Sequence, residues 1–390
     1  MGITIQAGRV RFKERLFAAP TPLPDAFSIH LDLIRFSAAL AVFVAHLSSF
    51  PITRGSVWPA LGQYGDAAVT LFFVLSGYVI SYTTSFRERE AKSYVISRIS
   101  RLYSVVLIAL PLTFLLDSLG LALNPSFYQN QKILWKPESL AGYLSSLFFV
   151  NEYQVFAFGG ISPGTNGPYW SLSFEASYYL IAGILLFCRK RFAIPASLIV
   201  LALAGRTIAA LLPLWALGFT LQRLRIPPLR PGLWQLAFWA SALLVVFSPR
   251  IDAFIPHLGE RLFLPWGRGA FNRDITSDYF VALSFAAHLV SARALLAGGC
   301  RPLVRLETPI RWLGSLTFPL YLFHYPALCL FAAICPWSES SLARLAFLAA
   351  LSGALVIALA PACDALKNAI RMHLPSASLR IRSYLARAAR

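Results

Sequence analysis

Charge is scarce in this chain. Lys, Arg, Asp and Glu make up 13% of its 390 residues, against about 25% in soluble globular domains. With 57% hydrophobic residues and a mean hydropathy of +0.62, this excludes an ordinary soluble protein. Acidic residues are the rarer sign, 17 against 35 basic, for a net charge of +18. Cysteine is sparse as well: the five residues Cys188, Cys300, Cys329, Cys335 and Cys363 are odd in number and scattered, without a CxxC or Cys/His spacing. That argues against a disulfide framework and against a metal site. The first 29 residues hold Arg9, Arg11, Lys13 and Arg15 but no short apolar core with a small-residue cleavage site, so no cleaved signal peptide is expected. A soluble domain, an internal repeat and a low-complexity tract are also lacking.

What the chain has instead is apolar length. Crossing a hydrocarbon core takes about 20 helical residues. Ten runs approach or reach that, at roughly 30–50, 64–85, 103–123, 172–188, 192–204, 207–221, 233–248, 276–296, 312–334 and 341–361. The expectation is an all-α polytopic membrane protein of about ten transmembrane helices, with a transmembrane domain over 30–361, a segment 1–29 before it and a basic tail, 362–390, after it. The fifth and sixth runs are short and separated by Gly205-Arg206 alone, as in a broken hairpin. With the N-terminus inside, 24 of the 35 Lys and Arg fall in inner segments and 8 in outer ones, while Arg35, Arg293 and Arg344 lie within runs. This asymmetry puts both termini in the cytoplasm. It also accounts for most of the net charge without a nucleic-acid partner. The end of the tail, "LRIRSYLARAAR", reads as an amphipathic helix on the inner leaflet. In the long outer loop, 124–171, "YLSSLFFV" reads as a re-entrant or interfacial helix. The Gly/Pro-rich "FGGISPGTNGPYW" that follows is the kind of irregular backbone that lines a cavity at a membrane edge.

Few ionisable groups interrupt the apolar runs, and they are patterned. In "LDLIRFSAALAVFVAHLSSF", residues 31–50, Arg35 and His46 stand eleven residues apart. That is within about 20° of whole turns, so they share one helix face, about 16 Å apart along the axis. Asp32, three residues before Arg35, can pair with it. Snorkelling of Arg35 and an interfacial His46 is the plain alternative. Ionisable groups within a span more often face a bundle interior or a wet path. Glu175 lies one turn into the fourth run, and His324 lies in "LTFPLYLFHYP" between Pro319 and Pro326, which free backbone carbonyls and bend the helix. Two histidines and a glutamate in apolar spans suit proton chemistry near the outer half, and equally a proton-coupled transporter. His288 reads as a packed polar contact; His30, His257 and His373 receive no role. Arg98 and Arg101, i and i+3 at the start of the third run, suit a phosphate or pyrophosphate; positive-inside anchoring explains the pair equally well.

Five motifs, in chain order, resemble those of the acyltransferase-3 family of bacterial membrane acyltransferases, which O-acylate cell-surface and secreted glycans. "LDLIRFSAALAVFVAH" resembles its basic-residue-x10-His signature, at Arg35 and His46. "LFFVLSGYVIS" resembles its Phe-Phe-Val-Leu-Ser-Gly segment, at Phe72 to Gly77. "SRISRLY" resembles its Arg-x-x-Arg element, at Arg98 and Arg101. "WSLSFE" resembles its Trp-Ser-Leu-Ser-x-Glu entry, at Trp170 to Glu175. "LGSLTFPLYLFHYP" resembles its late-helix Leu-Tyr-Leu-x-His, at Leu320 to His324. Two departures stand out: Ala176 replaces the second glutamate of many members, as in the exopolysaccharide and nodulation-factor subgroup, and the secreted hydrolase-like domain of some O-antigen acetylases is not expected after the last span.

The resemblance implies a protein of the bacterial inner membrane. Its donor would be cytoplasmic acyl-CoA, acetyl-CoA by default, as a substrate rather than a resident cofactor. Its acceptor would be a glycan or lipid-linked glycan at the outer face. His46 becomes the candidate general base toward a sugar hydroxyl. Arg98 and Arg101 become candidates for the CoA phosphates, and Arg35 for those phosphates or for channel electrostatics. Glu175 would orient His46 or grip the acceptor, Tyr169 and Trp170 would stack on a sugar ring, and His324 would line the channel or relay protons. Direct transfer and an acyl-enzyme on Ser76 or His46 both stay open. So does a second explanation of "LSGY", that small residues let helices approach closely. A glycan or lipid-linked-sugar transporter, and a non-catalytic sensor or assembly factor, remain as alternatives.

Overall fold

Proline and glycine set many of the helix ends. In the computed structural model, which describes residues 21–49, 52–53, 62–129, 139–156, 160–254 and 275–388 (backbone alone from 375), Pro24 immediately precedes the first helix. Its missing N–H costs nothing there, and Asp25 in the first turn favours the positive end of the helix dipole. The principal helices are α1 (Asp25–Leu47), α2 (Tyr64–Phe86), α3 (Ala91–Leu123), α4 (Trp170–Phe187), α5 (Lys190–Ala204), α6 (Arg206–Leu221), α7 (Pro231–Val246), α8 (Ile275–Leu295), α9 (Glu307–Ile334) and α10 (Leu342–Ala388). The chain is thus all-α among the described residues.

By length and hydropathy, seven of these are able to cross a membrane: α1, α2, α3, α4, α8, α9 and α10. An eighth is added if α7 and the segment Ser248–Phe254, bent from it by 64°, form one span. By this measure seven or eight of the ten expected crossings are supported among the described residues. The shortfall lies in α5 and α6, of 15 and 16 residues, which span only about 24 Å at 1.5 Å per residue. Gly205 separates them with φ +96°, a left-handed conformation suited to glycine, and its position is the expected hairpin break. Two other boundaries also differ. The "SRISRLY" segment is already helix, because no breaker separates it from the third apolar run. The last helix does not stop near 361: its backbone continues unbroken through the basic tail to Ala388, since Ala, Leu, Lys and Arg are good helix formers whatever their hydropathy.

The core is built on α9. Nearly every residue from Leu316 to Ala333 in it is buried, and α1, α3 and α10 pack around it. α2 packs on α1 and α6, and α8 packs on α2 and α7. α1 and α9 run parallel: Asp32 meets Arg311 at 2.8 Å at one end, and His46 meets His324 at 3.1 Å at the other. α2 and α6 approach backbone to backbone. A Cβ on Gly77 would fall against the Trp215 carbonyl, and one on Gly218 against the Val74 carbonyl. Small residues are the usual device for close helix contact in lipid, where apolar burial between helices drives little association.

The segment between α3 and α4 holds the short helix Ser139–Leu147, whose nine residues are too few to cross. The Gly/Pro-rich approach after it does not line a cavity over its described residues. It is packed down and bonded at both sides. Asp117 of α3 accepts hydrogen bonds from the Thr165 amide at 2.8 Å and its hydroxyl at 2.6 Å. Asn166 Nδ2 donates to Leu322 O of α9 at 2.9 Å. That carbonyl lost its helical partner because Pro326 has no N–H to offer four residues on. Gly164, at φ +54°, passes so close to the Asp117 carboxylate that a side chain there would collide with it.

Candidate functional site

Two clusters occupy the face of α1 that points at α9. The first is a cavity of about 330 Å³ near the starts of α1, α3 and α9. Arg35, Ser76, Arg98, Arg101 and Glu175 line it, together with Asp32, Arg311, Asp364 and Lys367. The sequence motifs at 35, 76, 98/101 and 175 thus converge on one space from four helices. Five basic side chains face three acidic ones across its walls.

Within the cavity most of the charges are paired. Arg35 lies 3.2 Å from Asp32, whose second oxygen is 2.8 Å from Arg311. Glu175 is held by three groups: Tyr179 donates a short hydrogen bond to Oε1, Arg101 stands 3.6 Å from the same oxygen, and Ser76 Oγ lies 3.4 Å from it. Ser76 also accepts from the Trp215 indole at 3.1 Å. Glu175 is therefore bonded into the cavity wall rather than beside His46. Arg98 differs from Arg101. Its guanidinium donates to both oxygens of Glu88, at 2.6 and 2.8 Å, and stands over the rings of Tyr94 and Tyr179. The two arginines share a helix face as their spacing requires, but Arg98 is buried and neutralised while Arg101 is partly open, its side chain 37% exposed.

The second cluster lies about 16 Å along α1, one and a half Å per residue from Arg35. His46 Nδ1 is 3.0 Å from Val42 O and 3.1 Å from His324 Nε2, and His324 Nδ1 is 2.8 Å from Leu320 O. A carbonyl can only accept, so Nδ1 carries the proton in both neutral rings. His324 Nε2 is then an acceptor for His46, and His46 Nε2 keeps its lone pair. That nitrogen makes no hydrogen bond among the described residues. Tyr325 packs edge-on against the His46 ring at 4.9 Å. Neither histidine lines the cavity. Between the two clusters stand Tyr321 and Ser171, hydroxyl to hydroxyl at 2.8 Å, both on the cavity wall.

The aromatic pair at the entry to α4 differs from expectation. Tyr169 is fully buried, with its hydroxyl donating to Ser146 O at 2.9 Å, so it is a packing residue and offers no ring face to a sugar. Trp170 packs edge-on against Phe73 and Phe174. Burial follows from Ser139–Leu147 folding over this turn, which the local sequence does not announce. His288 is a packed polar contact, bonded to His30 at 3.2 Å, and His30 has a partner where none was expected. Missed entirely were Tyr179 and Arg311, and Asp364 and Lys367 on the extension of α10. The signal was available for Tyr179, i+4 from Glu175 on one helix face. No group of three or more His, Cys, Asp or Glu side chains converges as a metal site among the described residues.

A family model described as an acyltransferase domain matches residues 29–363, most of the chain and all of the site except Asp364 and Lys367. The chain belongs to the acyltransferase-3 family. A curated relative, the acyltransferase MdmB of Streptomyces mycarofaciens, is 30% identical over 162 residues. That match covers 38% of this chain and 36% of the relative. No solved structure matches. Membership in this family and the apolar helices together make the chain a polytopic membrane protein of an acyltransferase family.

Proposed function

We propose that the protein transfers an acyl group, acetyl by default, from cytoplasmic acyl-CoA to a hydroxyl of a glycan or lipid-linked glycan at the outer face of the bacterial inner membrane. One observation carries the reading: the Leu320–His324–His46 hydrogen-bond chain, which fixes the tautomers and leaves a lone pair on His46 Nε2. A sugar hydroxyl is a poor nucleophile near neutral pH, and a positioned imidazole removes its proton as the thioester carbonyl is attacked. The proton taken by Nε2 goes on to the departing thiolate of CoA. The positive charge of the imidazolium is shared toward His324, whose Nε2 accepts from His46.

The cation-rich cavity supports the donor side. Arg101 and Arg35 suit the phosphates of CoA, and Tyr321 and Ser171 mark where an acyl arm would pass from the cavity toward the histidines. Glu175 orients Arg101 and Ser76 in this reading. The topology follows from parity. α1 and α9 are parallel, and the α5–α6 turn is bonded to the loop before α4, where the Arg206 amide donates to Gln154 at 3.2 Å. α5 and α6 then both cross despite their length, α7 crosses with its bent end, and ten crossings leave both termini on one side. The distribution of Lys and Arg makes that side cytoplasmic.

The test is turnover of acetyl-CoA by the purified protein in nanodiscs with a lipid extract of the source bacterium. His46→Ala is expected to lower it by about 10²–10⁴-fold, the usual worth of a general base, and His324→Gln by less. Unchanged turnover in His46→Ala would sink the role of His46. Failure of the wild type to use acetyl-CoA or succinyl-CoA would sink the acyltransferase reading.

A further inference from the structure

Four of the five cations on the cavity wall are each matched by a carboxylate: Arg35 and Arg311 by Asp32, Arg98 by Glu88 and Arg101 by Glu175. Lys367 is not. Among the described residues it makes no ion pair, although it is half-buried and lines the cavity. Arg371, Arg101 and Arg35 act on it as like charges, and Asp364, one turn back on the same helix, acts in the opposite sense. Crowding like charges in a partly desolvated space is unfavourable unless an anion occupies it.

Resting on the acyl-CoA reading above, we propose that Lys367 binds a phosphate group of the donor, and that the part of α10 beyond the family match is built into the site to present it. Cys363, Asp364 and Lys367 follow one helix face onto the cavity. Arg371, a turn further on, donates from Nε to Ser100 Oγ at 3.2 Å. Ser100 is fully buried on α3, next to Arg101. This contact pins the extension of α10 against the helix that carries Arg98 and Arg101, and holds Lys367 over the space they share. An ammonium on a flexible stem meets a phosphate as a point charge, without the planar geometry a guanidinium imposes. A phospholipid headgroup offers the same phosphate chemistry. The donor is favoured because Lys367 faces the cavity that Arg35, Arg101 and Ser76 also line, on the interior of the bundle.

The experiment compares wild type, Lys367→Gln and Lys367→Arg with two donors: acetyl-CoA, and acetyl-pantetheine, which keeps the thioester arm but has no phosphate. Lys367→Gln is expected to raise KM for acetyl-CoA about tenfold, the loss of one charge-assisted contact, with a much smaller change in kcat. KM for acetyl-pantetheine should not move, and Lys367→Arg should recover most of the loss. Equal KM for acetyl-CoA in Lys367→Gln and wild type, or equal losses with both donors, would overturn the assignment. Repeating the series in detergent and in nanodiscs with phosphatidylglycerol separates the sources. A defect that appears only with the anionic lipid assigns Lys367 to a headgroup and overturns it too. A wild type that uses acetyl-CoA while Lys367→Gln matches it leaves the acyltransferase reading intact, whereas a wild type inactive with any acyl-CoA removes both.

Discussion

Glu152 shows how a single side chain takes its properties from tertiary structure. It lies between the short helix Ser139–Leu147 and α4, 9% exposed, with Asn151 Nδ2 as a distant donor at 3.5 Å. Burial raises its carboxyl pKa from the ordinary 4.5 to about 8. The sign follows from linkage: the folded state holds this proton more tightly, so the stability it confers is complete below pH 4.5 and is lost as pH rises through about 8. The melting temperature of the wild type should therefore fall between pH 5 and pH 9, and Glu152→Gln should flatten that dependence. Parallel curves for the two proteins would show that Glu152 is already ionised when folded. Nothing in "VNEYQ" marks this residue. The histidines were easier to find, since an imidazole inside an apolar run is conspicuous. Their mutual hydrogen bond was not, because His46 and His324 are 278 residues apart.

Helix contacts turn on small residues and freed carbonyls. Gly77 and Gly218 let α2 and α6 touch through their backbones, and this is one reason for the small residues in "LSGY". Gly77→Ala and Gly218→Ala should each destabilise the protein by about 1–3 kcal/mol, the range of overpacking a tight contact. Thermal unfolding in detergent would report this as a lowered midpoint; a midpoint equal to wild type would mean that the helices separate at little cost. Helix positions were legible because apolar length and Pro/Gly punctuation are local. The end of α10 was misplaced because hydropathy falls at Asp364 while helix propensity does not. The irregular stretch before α4 was misjudged for a similar reason. Its glycines and Asn166 announce unusual backbone, but Asp117 and the carbonyl freed by Pro326 decide that it packs inward.

For the whole molecule, direction and pairing are separate questions. The proposed topology, ten alternating crossings with α1 and α9 parallel, puts both termini on one side, and the excess of Lys and Arg assigns that side to the cytoplasm. A fluorescent protein fused after Arg390 should be bright in cells, while alkaline phosphatase at the same position should be inactive. Active phosphatase would place the end of α10, and with it the cavity that Lys367 lines, on the outer side. The family motifs mark the inner cavity well: Arg35, Ser76, Arg101 and Glu175 do line one space. They do not show that Arg98 is neutralised by Glu88, nor that Tyr169 is buried, because both facts depend on neighbours contributed by other segments.

The linear chain was sufficient for the all-α membrane class, the places of the helices and the family, since these rest on apolar length, punctuation and short motifs. Tertiary structure alone decided which charges cancel. It brought Asp32 to Arg311, Glu175 to Arg101 and His324 to His46, and it left Lys367 facing the cavity without an ion pair among the described residues. The physical reason is range. Hydropathy and helix propensity act over a few residues, whereas the state of a charge inside a membrane protein is set by whatever group the fold places within a few ångströms of it.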